Sequence, residues 1–198
     1  MNKIKEILIG TNNKGKYEEI CNLLPNEIKK YSPKEFNISA PKETGKSFEE
    51  NSFIKASYFS KKTNLICLSD DSGLEIGLLK GKPGIYSSRW SGKKNNFDLG
   101  IERIFKEMNN IKNNWRNHGE AKFVCCLTLF WPEGKSYSTK GIVNGKISTI
   151  KKGKSGFGYD PIFIPNGYTK TFSEMEPELK MSIDHRFKAF LKIKKFFV

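Results

Sequence analysis

Short apolar runs alternate with amphipathic stretches along this chain, and each predicts an element. The run around Ile4 to Ile9 predicts a strand. A helix through Leu24 follows, because Tyr17, Ile20, Leu23 and Leu24 share one face, and Pro25 closes it. The polar stretch to Lys46 has room for a strand and a loop. A second helix starts at Ser47 or Thr44, with Phe48, Ala56 and Phe59 on its buried face and Glu49, Glu50 and Asn51 in its first turn. Leu65 to Leu68 predicts a buried strand ending at Ser69-Asp70-Asp71-Ser72-Gly73, and Leu74 to Leu79 a further strand before the turn at Gly81 to Gly84. Phe97 to Met108 is helical. Phe123 to Trp131 and Ser136 to Val143 make a hairpin over Pro132-Glu133-Gly134, with further strands at Ile147 to Ile150 and Ile162 to Ile164. Ile183, Phe187, Phe190, Leu191 and Phe197 give the segment from Glu178 to Phe196 helical spacing. Helices and strands intermix, so the fold class is α/β with a mixed rather than purely parallel sheet.

With 198 residues, 37% hydrophobic and 28% charged, the chain fits one globular domain with a real core, over residues 1–198. No targeting segment is visible, and the longest nearly apolar stretch, Phe123 to Trp131, is too short to span a bilayer as a helix. The expectation is a cytoplasmic protein with no membrane partner. Cys21, Cys67, Cys125 and Cys126 lack CxxC spacing, which argues against cysteine-bound metal. A net charge of +14 suits anionic ligands, but the lysines are scattered from Lys3 to Lys195 and follow no nucleic-acid-binding pattern. No nucleic-acid partner is expected.

Five clusters carry candidate chemistry. Asp70 and Asp71 are neighbours on a strand and so point to opposite faces; one can bind a divalent ion while the other orients a water or holds a turn. The same residues also make an ordinary Asp-rich turn. Thr11-Asn12-Asn13-Lys14-Gly15-Lys16 lies at a strand-to-helix junction, where helix N-terminal amides receive phosphate oxygens; a capped helix start needs no more than this either. It is not a Walker A loop. Glu43 and Glu50 offer hard oxygens suited to Mg²⁺, while Glu49 and Glu50 equally suit the helix dipole. Ser155 to Pro161 brings a glycine-rich backbone together with Phe157, Tyr159 and Asp160, and His185-Arg186 follows five residues after Lys180.

In order and spacing these segments resemble the inosine triphosphate pyrophosphatase family, also called the non-standard purine nucleoside triphosphate pyrophosphatases. The motifs are Thr-Asn-Asn-Lys-Gly-Lys at 11–16, Glu-Thr-Gly at 43–45, Phe-Glu-Glu-Asn at 48–51 and Ser-Asp-Asp-Ser-Gly-Leu at 69–74. Gly-Lys-Pro-Gly-Ile-Tyr-Ser-Ser-Arg-Trp at 81–90, Gly-Phe-Gly-Tyr-Asp-Pro at 156–161, and Lys180 with His185-Arg186 complete the set. The resemblance runs from about residue 4 to 192.

That resemblance implies a curved mixed sheet flanked by helices, in two lobes with the nucleotide in the cleft between them, and a homodimer. The implied reaction is hydrolysis of ITP, dITP or XTP to the monophosphate and pyrophosphate, with Mg²⁺ as cofactor. Asp71 matches the catalytic aspartate; Glu43 and Asp71, supported by Asp70 and Glu50, match the metal site. Thr11, Asn12, Asn13, Lys14, Gly15 and Lys16 match the phosphate-binding loop, and Ser72 lies beside the ligand. Phe157, Gly158, Tyr159, Asp160, Lys180, His185 and Arg186 match base and sugar contacts. Two departures stand out. Asp184 replaces the family's usual Ser before His-Arg, which favours a protonated His185, and Ser52 replaces the usual Ala. The alternative within enzymes is a Maf-like pyrophosphatase acting on pyrimidine or other modified nucleotides.

Overall fold

The structure is a computed structural model describing residues 4–92 and 96–197. Its strands are β1 (Glu6–Ile9), β2 (Lys29–Tyr31), β3 (Cys67–Ile76), β4 (Glu120–Phe130), β5 (Ser136–Ile147) and β6 (Phe163–Pro165). They form one mixed sheet in the order β2-β1-β3-β4-β5-β6, with β1 parallel to β2 and β3, and β5 antiparallel to β6. The helices are α1 (Lys14–Leu23), α2 (Phe48–Thr63), α3 (Ser87–Trp90), α4 (Phe97–Ile111), α5 (Pro177–Ile183) and α6 (His185–Leu191). The α/β class and the mixed sheet are as expected.

The chain divides into two compact units. The first comprises 1–71, 125–141 and 185–198; the second comprises 72–124 and 142–184. Each has its own apolar core. In the first, Ile7, Ile9, Leu68, Leu127 and Leu129 pack with Ile20 of α1 and with Phe190, Ile193 and Phe197 near the C-terminus. In the second, Leu74, Ile76, Ile101, Ile104 and Met108 pack with Phe163 and Phe172.

Three expected elements differ. β3 does not end at the aspartates. It runs unbroken through Asp70, Asp71, Ser72 and Gly73 to Ile76, so the predicted turn and separate second strand are one strand. Leu74 and Ile76 are fully buried and continue the strand's inward face, which outweighs the turn preference of Asp, Ser and Gly. β5 extends to Ile147, and residues 148–150 form no strand of their own. The C-terminal helix is two helices, because α5 closes at Asp184, whose extended backbone (ψ 171°) cannot continue the turn.

Candidate active site

In the first unit, the phosphate-loop candidates lie where β1 meets α1. Gly10 leaves no room for a side chain, since a Cβ there would collide with Ser69 Oγ. Ser69 Oγ in turn donates to the Gly10 carbonyl at 2.8 Å, holding β1 against β3. Asn13 caps α1: its Oδ1 accepts from Lys16 N–H at 3.0 Å, and its own N–H donates to Thr11 Oγ1 at 3.2 Å. Thr11 is buried. Asn12 and Lys14 are exposed, with Lys14 3.6 Å from Glu18 on the surface of α1. The short cap turns Lys16 inward, where its Nζ lies 3.1 Å from Asp70 Oδ2.

Asp70 and Asp71 have opposite environments, as alternation along a strand requires. Asp70 is fully buried, and its Oδ2 meets both Lys16 and Arg186, whose Nη2 donates at 3.0 Å. Burial alone would raise its pKa, but Lys16, Arg186 and Lys55 outweigh that and hold the carboxyl well below the usual range. Arg186 also bonds Glu19 of α1 through Nη1. Asp71 accepts from Asn51 Nδ2 at 3.1 Å and lies 3.5 Å from Lys55 Nζ. Burial raises its pKa; Lys55 and Lys16 oppose this while Glu43 and Asp70 reinforce it, and the balance lies above the usual carboxylate value.

Lys55 was not among the sequence candidates, yet it centres this cluster. Its ammonium is hydrogen-bonded to Glu43 Oε1 and faces Asp71. Burial lowers its pKa, but Asp71, Asp70 and Glu43 more than compensate and keep it charged. The signal was available: Phe48, Ser52, Lys55 and Phe59 follow each other at helical spacing on one face of α2, and all four are buried. A lysine on a buried stripe needs an anionic partner.

The start of α2 is fixed tightly. Ser47 Oγ accepts from Glu50 N–H at 3.1 Å, and Glu50 Oε2 accepts from Lys46 N–H at 2.7 Å. The structure therefore places Glu50 in a helix cap, apart from the Glu43–Lys55–Asp71 contacts. Asn51 Oδ1 accepts from Gly45 N–H at 2.9 Å while its Nδ2 holds Asp71, so one amide ties the 43–45 loop to β3. The Ser52 hydroxyl finds partners in the Glu49 carbonyl at 2.9 Å and Thr128 Oγ1 at 2.7 Å.

Among the described residues, no group of three or more His, Cys, Asp or Glu side chains is arranged to hold a metal ion. The donor chemistry nevertheless fits Mg²⁺. Glu43 and Asp71 present hard oxygens converging on one positive charge, the Lys55 ammonium, and Mg²⁺ takes one or two protein carboxylates beside substrate phosphates.

The second unit holds the other candidates. Gly156 and Gly158 have φ of 76° and 69°, a region that side chains disfavour, and a Cβ on Gly156 would strike Asp160 Oδ2. That turn aims Asp160 Oδ2 at Phe157 N–H, 3.0 Å away, and at Lys180 Nζ, 2.8 Å away. The Lys180 ammonium lies 5.2 Å from the Phe157 ring centroid and 5.8 Å from that of Phe172. Tyr159 is an interior residue. Its hydroxyl donates to the Ser87 carbonyl at 2.8 Å, its ring meets Phe97 edge-on, and burial raises its pKa. Ser72 follows Asp71 in β3 and is half-buried.

His185 and Arg186 begin α6 and belong to the first unit, both buried. The structure brings Arg186 to Asp70 and Glu19, beside Lys16. Asp184, between the two helices, is buried.

The Ham1 family profile matches residues 7–196. The chain is 37% identical over 188 residues to the dITP/XTP pyrophosphatase of Rhodospirillum centenum, covering 94% of this chain and 92% of that one. It is 38% identical over 195 residues to the protein of the same name from Oceanobacillus iheyensis, covering 97% and 98%. Among solved structures, a HAM1 protein from Coxiella burnetii superposes with a TM-score of 0.86 at 34% identity, covering 97% of this chain and 98% of that one. The Staphylococcus aureus Ham1 protein gives 0.83 at 34%, covering 97% of each. By profile, sequence and fold, the chain belongs to the Ham1 family.

Proposed function

We propose that this protein is a magnesium-dependent pyrophosphatase that hydrolyses deaminated purine nucleoside triphosphates (dITP, ITP and XTP) to the monophosphate and pyrophosphate. The observation that carries the proposal is the set of two carboxylates, Glu43 and Asp71, sharing one cation next to a capped helix start that supplies Lys16. Family membership and the dITP/XTP pyrophosphatase activity for which the relatives are named point the same way.

Glu43 and Asp71, with Asp70 in support, would hold Mg²⁺, which when bound supplies positive charge against the departing pyrophosphate; Glu50, engaged in the helix cap, is left out of that set. Thr11, Asn13 and Lys16 bind phosphate oxygens through hydroxyl, amide and ammonium donors. Asp71 orients a water toward the α-phosphorus and takes its proton as the new P–O bond forms and the bond to the β-phosphate oxygen breaks. Asn51 and Lys55 fix its orientation.

Phe157 offers a ring face to the purine, and Lys180 is a donor beside it. A 6-oxo purine presents an acceptor to such donors, whereas adenine presents an amino group that leaves donor facing donor; a site of this kind rejects the mismatch strongly. The same reading carries a homodimer, tested by sedimentation, and a cytoplasmic place of action. No helix among the described residues is long and apolar enough to cross a membrane.

The test is a panel of ITP, dITP, XTP, GTP, ATP, dUTP and TTP, with monophosphate and pyrophosphate both quantified. Asp71→Asn is expected to lower turnover by roughly 10²- to 10⁴-fold, the range for removal of a general base. Preference for dUTP or TTP would replace this reading with a Maf-like one, and release of inorganic phosphate alone would overturn it.

A further inference from the structure

The end of the β4–β5 hairpin and the C-terminal segment meet in an aromatic cluster within the first unit. Trp131 and Phe196 lie edge-to-face with centroids 5.5 Å apart, and Tyr137 and Phe196 likewise at 5.2 Å. Lysines sit over these rings: Lys135 Nζ is 5.5 Å from the Trp131 centroid, and Lys195 Nζ is 5.3 Å from Tyr137 and 5.4 Å from Phe196. Lys192 Nζ donates to the Lys140 carbonyl at 2.6 Å, fastening the C-terminal segment to β5. Lys188, Lys192, Lys194 and Lys195 are all exposed.

The charge here is one-sided. Residues 131–141 and 185–197 carry seven of the chain's 35 Lys and Arg but one of its 21 Asp and Glu, Glu133. Lys140 has a partner in Glu49, 3.3 Å away, and Arg186 lies buried on Asp70 and Glu19. The exposed lysines that remain are set apart from ordinary solvated ones, because ring faces hold two of their ammonium groups. Cation–π contact reduces the freedom such a group would otherwise lose on meeting an anion.

We propose that this surface binds single-stranded nucleic acid, its lysines tracking successive phosphates and Tyr137, a residue 38% accessible, stacking against a base. Fixed ammonium groups beside a partly open aromatic ring are the combination that recognises a single strand. A lipid headgroup layer would need an apolar face to insert, and Leu191 is the large apolar residue exposed in the C-terminal segment. Composition and spacing led to the opposite expectation, because the lysines converge only once hairpin and C-terminal segment are packed together.

Fluorescence anisotropy of a labelled oligothymidylate tests this on the full chain. Binding is expected to weaken with salt at a slope of about −3 in log–log form, as for some four phosphate contacts to a single strand. Lys135→Ala with Lys195→Ala should cost about tenfold in affinity, and Tyr137→Ala about fivefold or more. Lys61→Ala with Lys62→Ala removes the same charge from exposed positions on α2 and should cost less than about twofold. Nucleotide turnover of all three variants should match the wild type. Equal losses from the two lysine pairs would overturn the proposal, since diffuse net charge would then explain the binding. Binding to phosphatidylserine vesicles but not to the oligonucleotide, or displacement by tripolyphosphate at equal phosphate concentration, would overturn it equally.

Discussion

The two units each bury lysine against carboxylate, but their charge balances differ. In the first, the side chains of Glu19, Glu43, Asp70 and Asp71 meet those of Lys16, Lys55 and Arg186, leaving one negative charge in excess. In the second, Asp160 pairs with Lys180 beside an aromatic ring. A cluster with surplus negative charge, poorly hydrated, gains from any further cation. A balanced pair gains nothing from one and instead presents a fixed donor and a ring. The first arrangement suits a metal with its phosphates, and the second an uncharged heterocycle.

This contrast can be broken most forcefully at the balanced pair. Asp160→Asn removes the carboxylate 2.8 Å from the buried Lys180 ammonium and should cost about 3–5 kcal/mol in unfolding free energy; chemical denaturation checks it. Combining it with Lys180→Met should recover part of that loss, because both charges are then gone. The surplus cluster predicts a ligand effect next. Magnesium at a hundred times its dissociation constant should stabilise the wild type by about 2.7 kcal/mol and Glu43→Gln by much less, read as a shift in Tm. Equal stabilisation of the two would remove Glu43 from the metal site. The smallest effect is on acid stability. Asp70 has a folded pKa below its unfolded value, so its contribution is present above the unfolded value, near pH 4, and is lost as pH falls toward the folded one. Unfolding free energy should drop more steeply below pH 4 in the wild type than in Asp70→Asn, by at most about 1.4 kcal/mol per pH unit.

Helices α1, α2 and α4 were legible because their apolar spacing is regular, with the Ser47 start of α2 and the Pro25 stop of α1 in agreement. The hairpin between β4 and β5 was legible for the same reason. β3 was misread at Asp70 and Asp71 because the sequence shows two carboxylates and a glycine, not the distant Lys16, Asn51, Lys55 and Arg186 that satisfy them. Once those partners are present, nothing favours a turn, and Leu74 and Ile76 keep the strand running. Lys55 was missed because a lysine in a helix reads as surface until its position on the stripe of Phe48 and Phe59 is counted. Glu19 gave no sign beyond its place on α1, since its partner Arg186 lies 167 residues away.

The ammonium of Lys55 means that the acidic pair of Glu43 and Asp71 comes with its own neutraliser. Two carboxylates held close together, one buried and one partly exposed, would otherwise repel each other. Here a resident amine offsets that, so chelator-washed protein should keep its native circular dichroism while losing turnover. If Mg²⁺ binds there as proposed, loading it would swap one positive charge for another, and competence would follow the ion supply without the fold being remade each time.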